Sequence, residues 1–571
     1  MSESIYDKLS KERKRLQKEG LVPEWFTTGG YSMFTQKYEY DTNGRSVRGQ
    51  FERIARAAAK HLKGTKFEAE AEGKFFDLMW NNWLSLSTPV MSNMGTDRAL
   101  PVSCSGGVVD DSINGFYKNR YETAILTKHG FGTSAYLGGI RPRGTPYGKD
   151  KKGTASGIWP VFKGHAQDMI DVAQGSTRRG AWAGYLEIDH NDFDEIYDHI
   201  YNDPDGMNVG WIITDAFLKR LQSGDTDAVR RYQRCLKMKM VVGRGYFWFV
   251  DKVNRKLPEP YTRAGMKNYA SNLCVEIALP ADNEHQFTCV LSSMLVHRFD
   301  EWKDTDAVYW ATIFLDCVAE EFIQRAKDIE GLEKTVRFTR KARALGLGQA
   351  GFHTYLQDHM IPFESLEARM VSQQIAKQIW EESLRASQDM AKELGEPEWC
   401  RGFGVRNASR IAIAPTKSSA IMFGGVSEGI NPDPAMVFTQ KSAGGSIDRI
   451  VPSLLKIMKE RGVYNKKTIK TITERFGSVQ HVDWLSDDEK AVFKTAFEIN
   501  QKTVVNLASA RGRFIDQWQS LNLFFAAEER PEWISEVHQQ AFEDPNILGL
   551  YYIYTQAGIG AAKETECVAC Q

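Results

Sequence analysis

The stretch from Leu366 to Leu394 limits the architecture of this chain more than any other. Val371, Ile375, Ile379, Ala386, Met390 and Leu394 recur at helical spacing and share one face of a helix. Gly395 and Pro397 supply its stop signal. Such a face must be buried against another layer. Tyr246-Phe-Trp-Phe-Val250, flanked by Gly243 and Gly245, reads as a buried strand, and Arg410-Ile-Ala-Ile-Ala-Pro415 reads as another that ends in a polar loop. Strands alternating with amphipathic helices favour an α/β architecture with much parallel sheet. Tyr6–Leu16 and Val47–Leu62 predict a charged, helical N-terminal region.

The chain has 571 residues, 42% of them hydrophobic, which is ample for a large core. Length alone suggests roughly three to four ordinary domains, or fewer if one is a large barrel. Lys+Arg and Asp+Glu are both 73, so net charge offers no argument for a nucleic-acid partner. No apolar run is long enough to span a bilayer, and the N-terminus carries no signal-peptide pattern. A soluble cytoplasmic protein is expected. Eight cysteines in this length do not make a disulfide scaffold, so the informative ones are those with a chemical task.

Several constellations carry chemistry. Asn272-Leu-Cys274-Val-Glu276, read as an extended segment, projects Asn, Cys and Glu to one side. That places a thiol beside a proton-transfer group and an orienting amide. A strand whose polar face happens to hold a cysteine fits the same residues. Cys104 and Cys289 lie in loop or strand-edge contexts, and Cys235, Cys317 and Cys400 receive no role. Tyr551-Tyr552 is a pair of phenols able to exchange an electron and a proton, or two core tyrosines packing independently. Cys567-Val-Ala-Cys570 has the spacing of a redox pair or of half a zinc site. With no second CxxC and no His in the tail, a dithiol that exchanges with an interior disulfide is the better reading. Pro415-Thr-Lys-Ser-Ser419 suits a diphosphate cradle or a plain helix N-cap. The Gly- and Arg-rich loops at Arg141 and at Gln174–Gly180 suit a nucleotide phosphate or are simply exposed turns. No GxxxxGK[ST] motif supports a nucleoside triphosphatase.

The order of these pieces decides among the readings. Ser87-Thr-Pro-Val90, Ser103-Cys104, Asp110-Asp-Ser-Ile113, the Arg141 and Gln174 loops, Asn272–Glu276, Cys289, Arg343-Ala-Leu-Gly-Leu-Gly348, Pro415–Ser419, Tyr551-Tyr552 and the cysteine tail follow one another in a single pattern. In this order the chain resembles the large, catalytic subunit of class I ribonucleotide reductase, over most of residues 80–571. The resemblance implies a ten-stranded α/β barrel over 76–555 with a central finger loop carrying the thiyl cysteine. A short helical domain over 1–75 would precede it and a redox-active tail over 556–571 would follow.

By the same resemblance, Cys274 becomes the thiyl radical that abstracts the ribose 3′-hydrogen. Glu276 takes the 3′-hydroxyl proton, Asn272 holds the substrate, and Cys104 with Cys289 is the reducing pair. Cys567 and Cys570 re-reduce that pair and are themselves reduced by thioredoxin or glutaredoxin. Tyr551 and Tyr552 relay the radical from a small radical-generating subunit, which holds the radical cofactor; no cofactor is expected tightly bound in this chain. Thr88, Ser103, Thr416, Ser418 and Ser419 match substrate positions for a nucleoside diphosphate. Asp111, Ser112, Ile113, Arg141 and Gln174 match a nucleoside triphosphate effector site formed at a homodimer interface. No metal is expected. The chain departs from the pattern in three places. No ATP-binding cone is expected before the catalytic region, Lys417 adds a charge to the phosphate loop, and the Gln174 loop is one residue short. Two alternatives stand beside this reading: an adenosylcobalamin-dependent reductase, and a non-catalytic protein using its CVAC tail for zinc or partner docking.

Overall fold

In the computed structural model, residues 5–40, 46–172, 180–205, 207–442 and 445–556 are described. The N-terminal helices are Ile5–Lys18, Thr28–Met33, Val47–Ala59 and Glu68–Trp80. Ser46 starts the third by accepting a hydrogen bond from the Gly49 amide at 3.1 Å. Its Phe51, Ile54, Ala55 and Ala58 are buried, as are Ala71, Phe75, Leu78 and Met79 of the fourth. Both helices pack on Ala307–Ala326, which is apolar nearly all round and buried along almost its whole length.

The main sheet has nine strands. In chain order they are β1 (Leu84–Leu86), β2 (Cys104–Val108), β3 (Gly132–Tyr136), β4 (Trp182–Glu187), β5 (Asn208–Ile213), β6 (Tyr246–Phe249), β7 (Phe287–Leu295), β8 (Leu345–Ala350) and β9 (Gly549–Leu550). Strands β2 to β6 run parallel in sequence order. Long β7 pairs antiparallel with β2 through its first half, antiparallel with β1 through its second, and parallel with β8 on its other edge.

Backbone bonds carry the sheet round to its start. Leu345 and Leu347 donate to the carbonyls of Ser409 and Arg410. Ile413 donates to Trp518 and bridges Gln519 in parallel, Tyr551 donates to Leu521, and β9 pairs antiparallel with β6. The ring is therefore two parallel sets of five, β2–β6 and then β7, β8, Ser409–Ile413, Gln517–Ser520 and β9. This is the ten-stranded barrel expected, and β1 lies outside the ring. Of the two segments that complete it, Gln517–Ser520 also bonds to a loop inside.

That loop is the finger. Ser271 to Ile277 are all buried. The Ser134 hydroxyl of β3 donates to the Ser271 carbonyl at 2.7 Å, and the Tyr185 hydroxyl of β4 donates to Asn272 at 2.6 Å. From the far wall, Ser520 donates to the Cys274 carbonyl at 2.7 Å and the Trp518 amide to Glu276 at 2.9 Å. The alternation expected for Asn272–Glu276 does not hold. The segment is a turn with Val275 at φ +65°, held closed by Asn272, whose side-chain oxygen accepts the Glu276 and Ile277 amides. The loop meets its hydrogen-bond needs through Asn272 and the barrel walls and not through a neighbouring strand, so it does not extend.

Leu366–Leu394 is a helix over the expected span, capped by Ser365 and closed at Gly395, φ +83°. The strand at Tyr246 ends at Phe249, one residue early, because a helix starts at Val250. Among the described residues, no helix is long and apolar enough to cross a membrane.

Candidate active site

Cys104 and Cys289 are register partners across β2 and β7. Antiparallel partners lie roughly 4.5–5.5 Å apart at Cα. That separation falls inside the range a disulfide requires. Both cysteines are reduced and buried. The Cys289 sulfur accepts from Gln517 Nε2 at 3.5 Å, and burial pushes this thiol well above its ordinary range. The Cys104 sulfur lies 3.7 Å from the Ser103 hydroxyl and accepts from Asn272 Nδ2 at 3.6 Å. One side chain of the finger thus touches the strand pair directly.

Glu276 is buried beneath the finger turn. Burial raises its carboxyl to about 7, against the pull of hydrogen bonds from Asn272 and Ser520. The Ser520 hydroxyl stands 3.3 Å from Glu276 Oε2 and also holds the Cys274 carbonyl, so one serine ties the backbone that carries the thiol to the carboxyl. A carboxyl that titrates near neutrality suits proton transfer. The sheltered interior suits a reactive sulfur intermediate.

Tyr551 and Tyr552 follow β9, with ring centroids 4.0 Å apart. Tyr551 is fully buried, and its amide bonds to Leu521, next to the Ser520 that holds Cys274. Tyr246 of β6 makes a third ring in this cluster, 5.1 Å from Tyr551 and 5.5 Å from Tyr552, with its hydroxyl 3.3 Å from that of Tyr552. Gly549 of β9 lies against the finger: a Cβ there would meet Val275 Cγ1 at 2.7 Å.

Thr88 opens the helix that follows β1, with its hydroxyl 3.2 Å from that of Tyr38. Thr416 stands at φ +55° before the helix Lys417–Met422, and its hydroxyl accepts the Gly429 amide at 2.8 Å. Ser418 and Ser419 lie in the opening turn of that helix, whose amides have no carbonyl four residues back within the helix. The N-terminal helix Thr28–Met33 covers the far side; a Cβ on Gly30 would sit 2.7 Å from the Met422 carbonyl.

The effector candidates collect at the other ends of β2 and β3. Arg141 donates to Asp111 Oδ2 at 2.6 Å, and Ser112 caps the helix Ile113–Lys128. Gln174 and the cysteines Cys567 and Cys570 lie outside the described residues. Among the described residues, no cluster of His, Cys, Asp or Glu could hold a metal ion. Sequence reasoning missed Ser520, Gln517, Tyr185 and Tyr246. None sits in a motif; each is brought to the site by barrel closure alone.

Comparisons with known proteins agree with this geometry. The family model described as ribonucleotide reductase, barrel domain, matches residues 102–231, 226–403 and 398–553. The model described as ribonucleotide reductase, all-alpha domain, matches 24–99. A Frog virus 3 (isolate Goorha) protein named for a ribonucleoside-diphosphate reductase large subunit is 32% identical over 536 residues, covering 88% of this chain and 93% of its own. The ribonucleoside-diphosphate reductase large subunit of Danio rerio is 26% identical over 561 residues, covering 85% of this chain and 70% of its own. The solved Actinobacillus ureae class Id ribonucleotide reductase alpha subunit superimposes with a TM-score of 0.85 at 35% identity, covering 94% of this chain and 98% of that one.

Proposed function

This chain belongs to the ribonucleotide reductase large-subunit family, and from that premise we propose that it reduces ribonucleoside diphosphates to 2′-deoxyribonucleoside diphosphates by a thiyl-radical mechanism. The observation that carries the proposal is the Cys104–Cys289 register pair with Asn272 of the finger on the Cys104 sulfur. Two thiols and a third cysteine on a sheltered loop are what such a reduction consumes and protects.

In this reading Cys274, as thiyl, takes the 3′-hydrogen atom and Glu276 takes the 3′-hydroxyl proton. The 2′-hydroxyl leaves as water with a proton from the cysteine pair. Cys104 and Cys289 supply two electrons and end joined as a disulfide, and the 3′-hydrogen returns from Cys274. Each turnover thus converts one diphosphate and two thiols into deoxynucleotide, water and disulfide. Cys567 and Cys570 reduce that disulfide by exchange, and thioredoxin or glutaredoxin reduces them in turn. Thr88, Ser103, Thr416, Ser418 and Ser419 bind the substrate, the last three at its diphosphate.

As a large subunit the chain works with a small one. We assign the small subunit the radical cofactor and assign Tyr551 and Tyr552 the relay to Cys274; the close contact of the two rings, with Tyr551 buried and Tyr552 half-buried, supports this. A nucleoside triphosphate effector at Asp111, Ser112, Ile113, Arg141 and Gln174 would sit at a homodimer interface. The exposed Ile113, Tyr117 and Tyr121, spaced along one helical stripe, support that interface.

The test is copurification with a candidate small subunit, then an assay of CDP reduction. Activity dependent on both chains, and abolished by Cys274→Ser in a folded protein, is the expected result. Turnover with adenosylcobalamin and no partner would replace the class assignment, and stoichiometric zinc on the tail would favour a docking role.

A further inference from the structure

Lys239 is fully buried near the end of the helix Thr226–Val241. Its ammonium donates to the Gly245 carbonyl at 2.8 Å and to the Tyr551 carbonyl, and lies 5.3 Å from the centre of the Phe247 ring. Gly245 immediately precedes Tyr246. One cation therefore holds the backbone beside two of the three rings in the tyrosine cluster. The ionisable groups facing it are Cys235, one turn back on its own helix, and His538 of the helix Pro531–Glu543. Burial raises the Cys235 thiol and lowers the His538 imidazole, so neither neighbour supplies a counter-charge. Burying an ammonium is costly even after relaxation. A methionine of similar length would fill this space without a buried charge but would leave the Gly245 and Tyr551 carbonyls without this donor, so what the lysine adds is its hold on those two carbonyls.

We propose that Lys239 is a positioning residue for radical entry, clamping the carbonyls of Gly245 and Tyr551 so that the rings of Tyr246, Tyr551 and Tyr552 keep their close contact. The proposal rests on the relay role assigned to the tyrosine pair. Lys239 touches neither substrate nor reacting atoms; it acts through the place it gives Tyr551.

The experiment compares Lys239→Met, Lys239→Gln, Cys235→Ala and Tyr551→Phe, each with the small subunit. For Lys239→Met, kcat should fall by about tenfold or more with KM for CDP and effector binding unchanged, since misplacing a reacting group by an ångström carries roughly that penalty or worse. Lys239→Gln keeps an amide donor and should recover part of the loss, and it replaces the Met variant should that one not fold. Cys235→Ala, on the same buried turn, should behave as the parent. Normal kcat in Lys239→Met overturns the proposal, as does a fall accompanied by equal losses of effector and substrate binding. If Tyr551→Phe retains turnover, the relay reading fails instead; if it is inactive while Lys239→Met is normal, only the clamp fails.

Discussion

Asn272 Nδ2 reaches the Cys104 sulfur at 3.6 Å while its Oδ1 closes the turn that carries Cys274. The same amide thus sets the finger's shape and touches the reducing pair. Asn272→Asp keeps an oxygen to close the turn but loses the donor to the sulfur, because a carboxylate cannot donate. A fall in kcat of about 100-fold or more is expected, the scale for losing a group aimed at the reacting centre. Steady-state CDP reduction against nucleotide binding measures it.

Glu276 carries a pH signature. Its buried carboxyl holds a proton up to about pH 7, whereas in the unfolded chain it releases it near 4. Between those values the folded state binds more protons, so stability declines as pH rises from roughly 4.5 to 7 and levels off above. Glu276→Gln should flatten that decline in thermal melts at several pH values. It should also lower kcat by about 100-fold or more and erase the limb of the pH–rate profile near 7.

Val275 is a β-branched residue at φ +65°, a conformation that costs on the order of 1–3 kcal/mol. It stays there because its side chain is wedged beneath β9. Gly549→Ala would bring a Cβ within 2.7 Å of Val275 Cγ1 and 2.9 Å of Trp248, so the finger must move. We expect a loss of about 1–3 kcal/mol in denaturant melts, the range for overpacking, and a marked fall in kcat.

Asp316 is buried between Arg343 and Arg406, which hold its carboxyl far below the ordinary carboxylate range despite burial. Arg343 itself stands at φ +45° just before β8. Asp316→Asn leaves the half-buried Arg406 without this counter-charge and the buried Arg343 with Glu320 alone, and should cost about 3–5 kcal/mol. With a depressed folded value, the parent's contribution from Asp316 is complete above pH 4 and is lost as pH falls below it. Melts of the two proteins should therefore converge in acid.

Deleting residues 566–571 should permit one turnover per active site and abolish thioredoxin-driven cycling. Rapid-quench product yield against steady-state rate separates the two. Sustained cycling by the truncated chain would remove the tail from the mechanism.

The α/β class, the Leu366–Leu394 helix and the motifs that nominate the candidate reactive residues are all legible in the linear order of the residues. A helix face shows as periodicity within a few turns, and ordered motifs survive in one dimension. Local residues also nominate Asn272, Cys274 and Glu276 as one group. Their conformation is not local: an extended reading fails because the finger bonds to β3, β4 and Ser520 instead of a neighbouring strand. Cys104 and Cys289 are 185 positions apart in the numbering, and only the antiparallel register of β2 on β7 makes them partners. Ser520, Gln517 and Lys239 carry no pattern at all, and the strand legible at Tyr246 does not show that its ring joins the tyrosine pair. Their place follows from closing a ten-stranded ring, in which side chains distant along the chain share one interior, and no periodicity along the chain encodes which of them will meet.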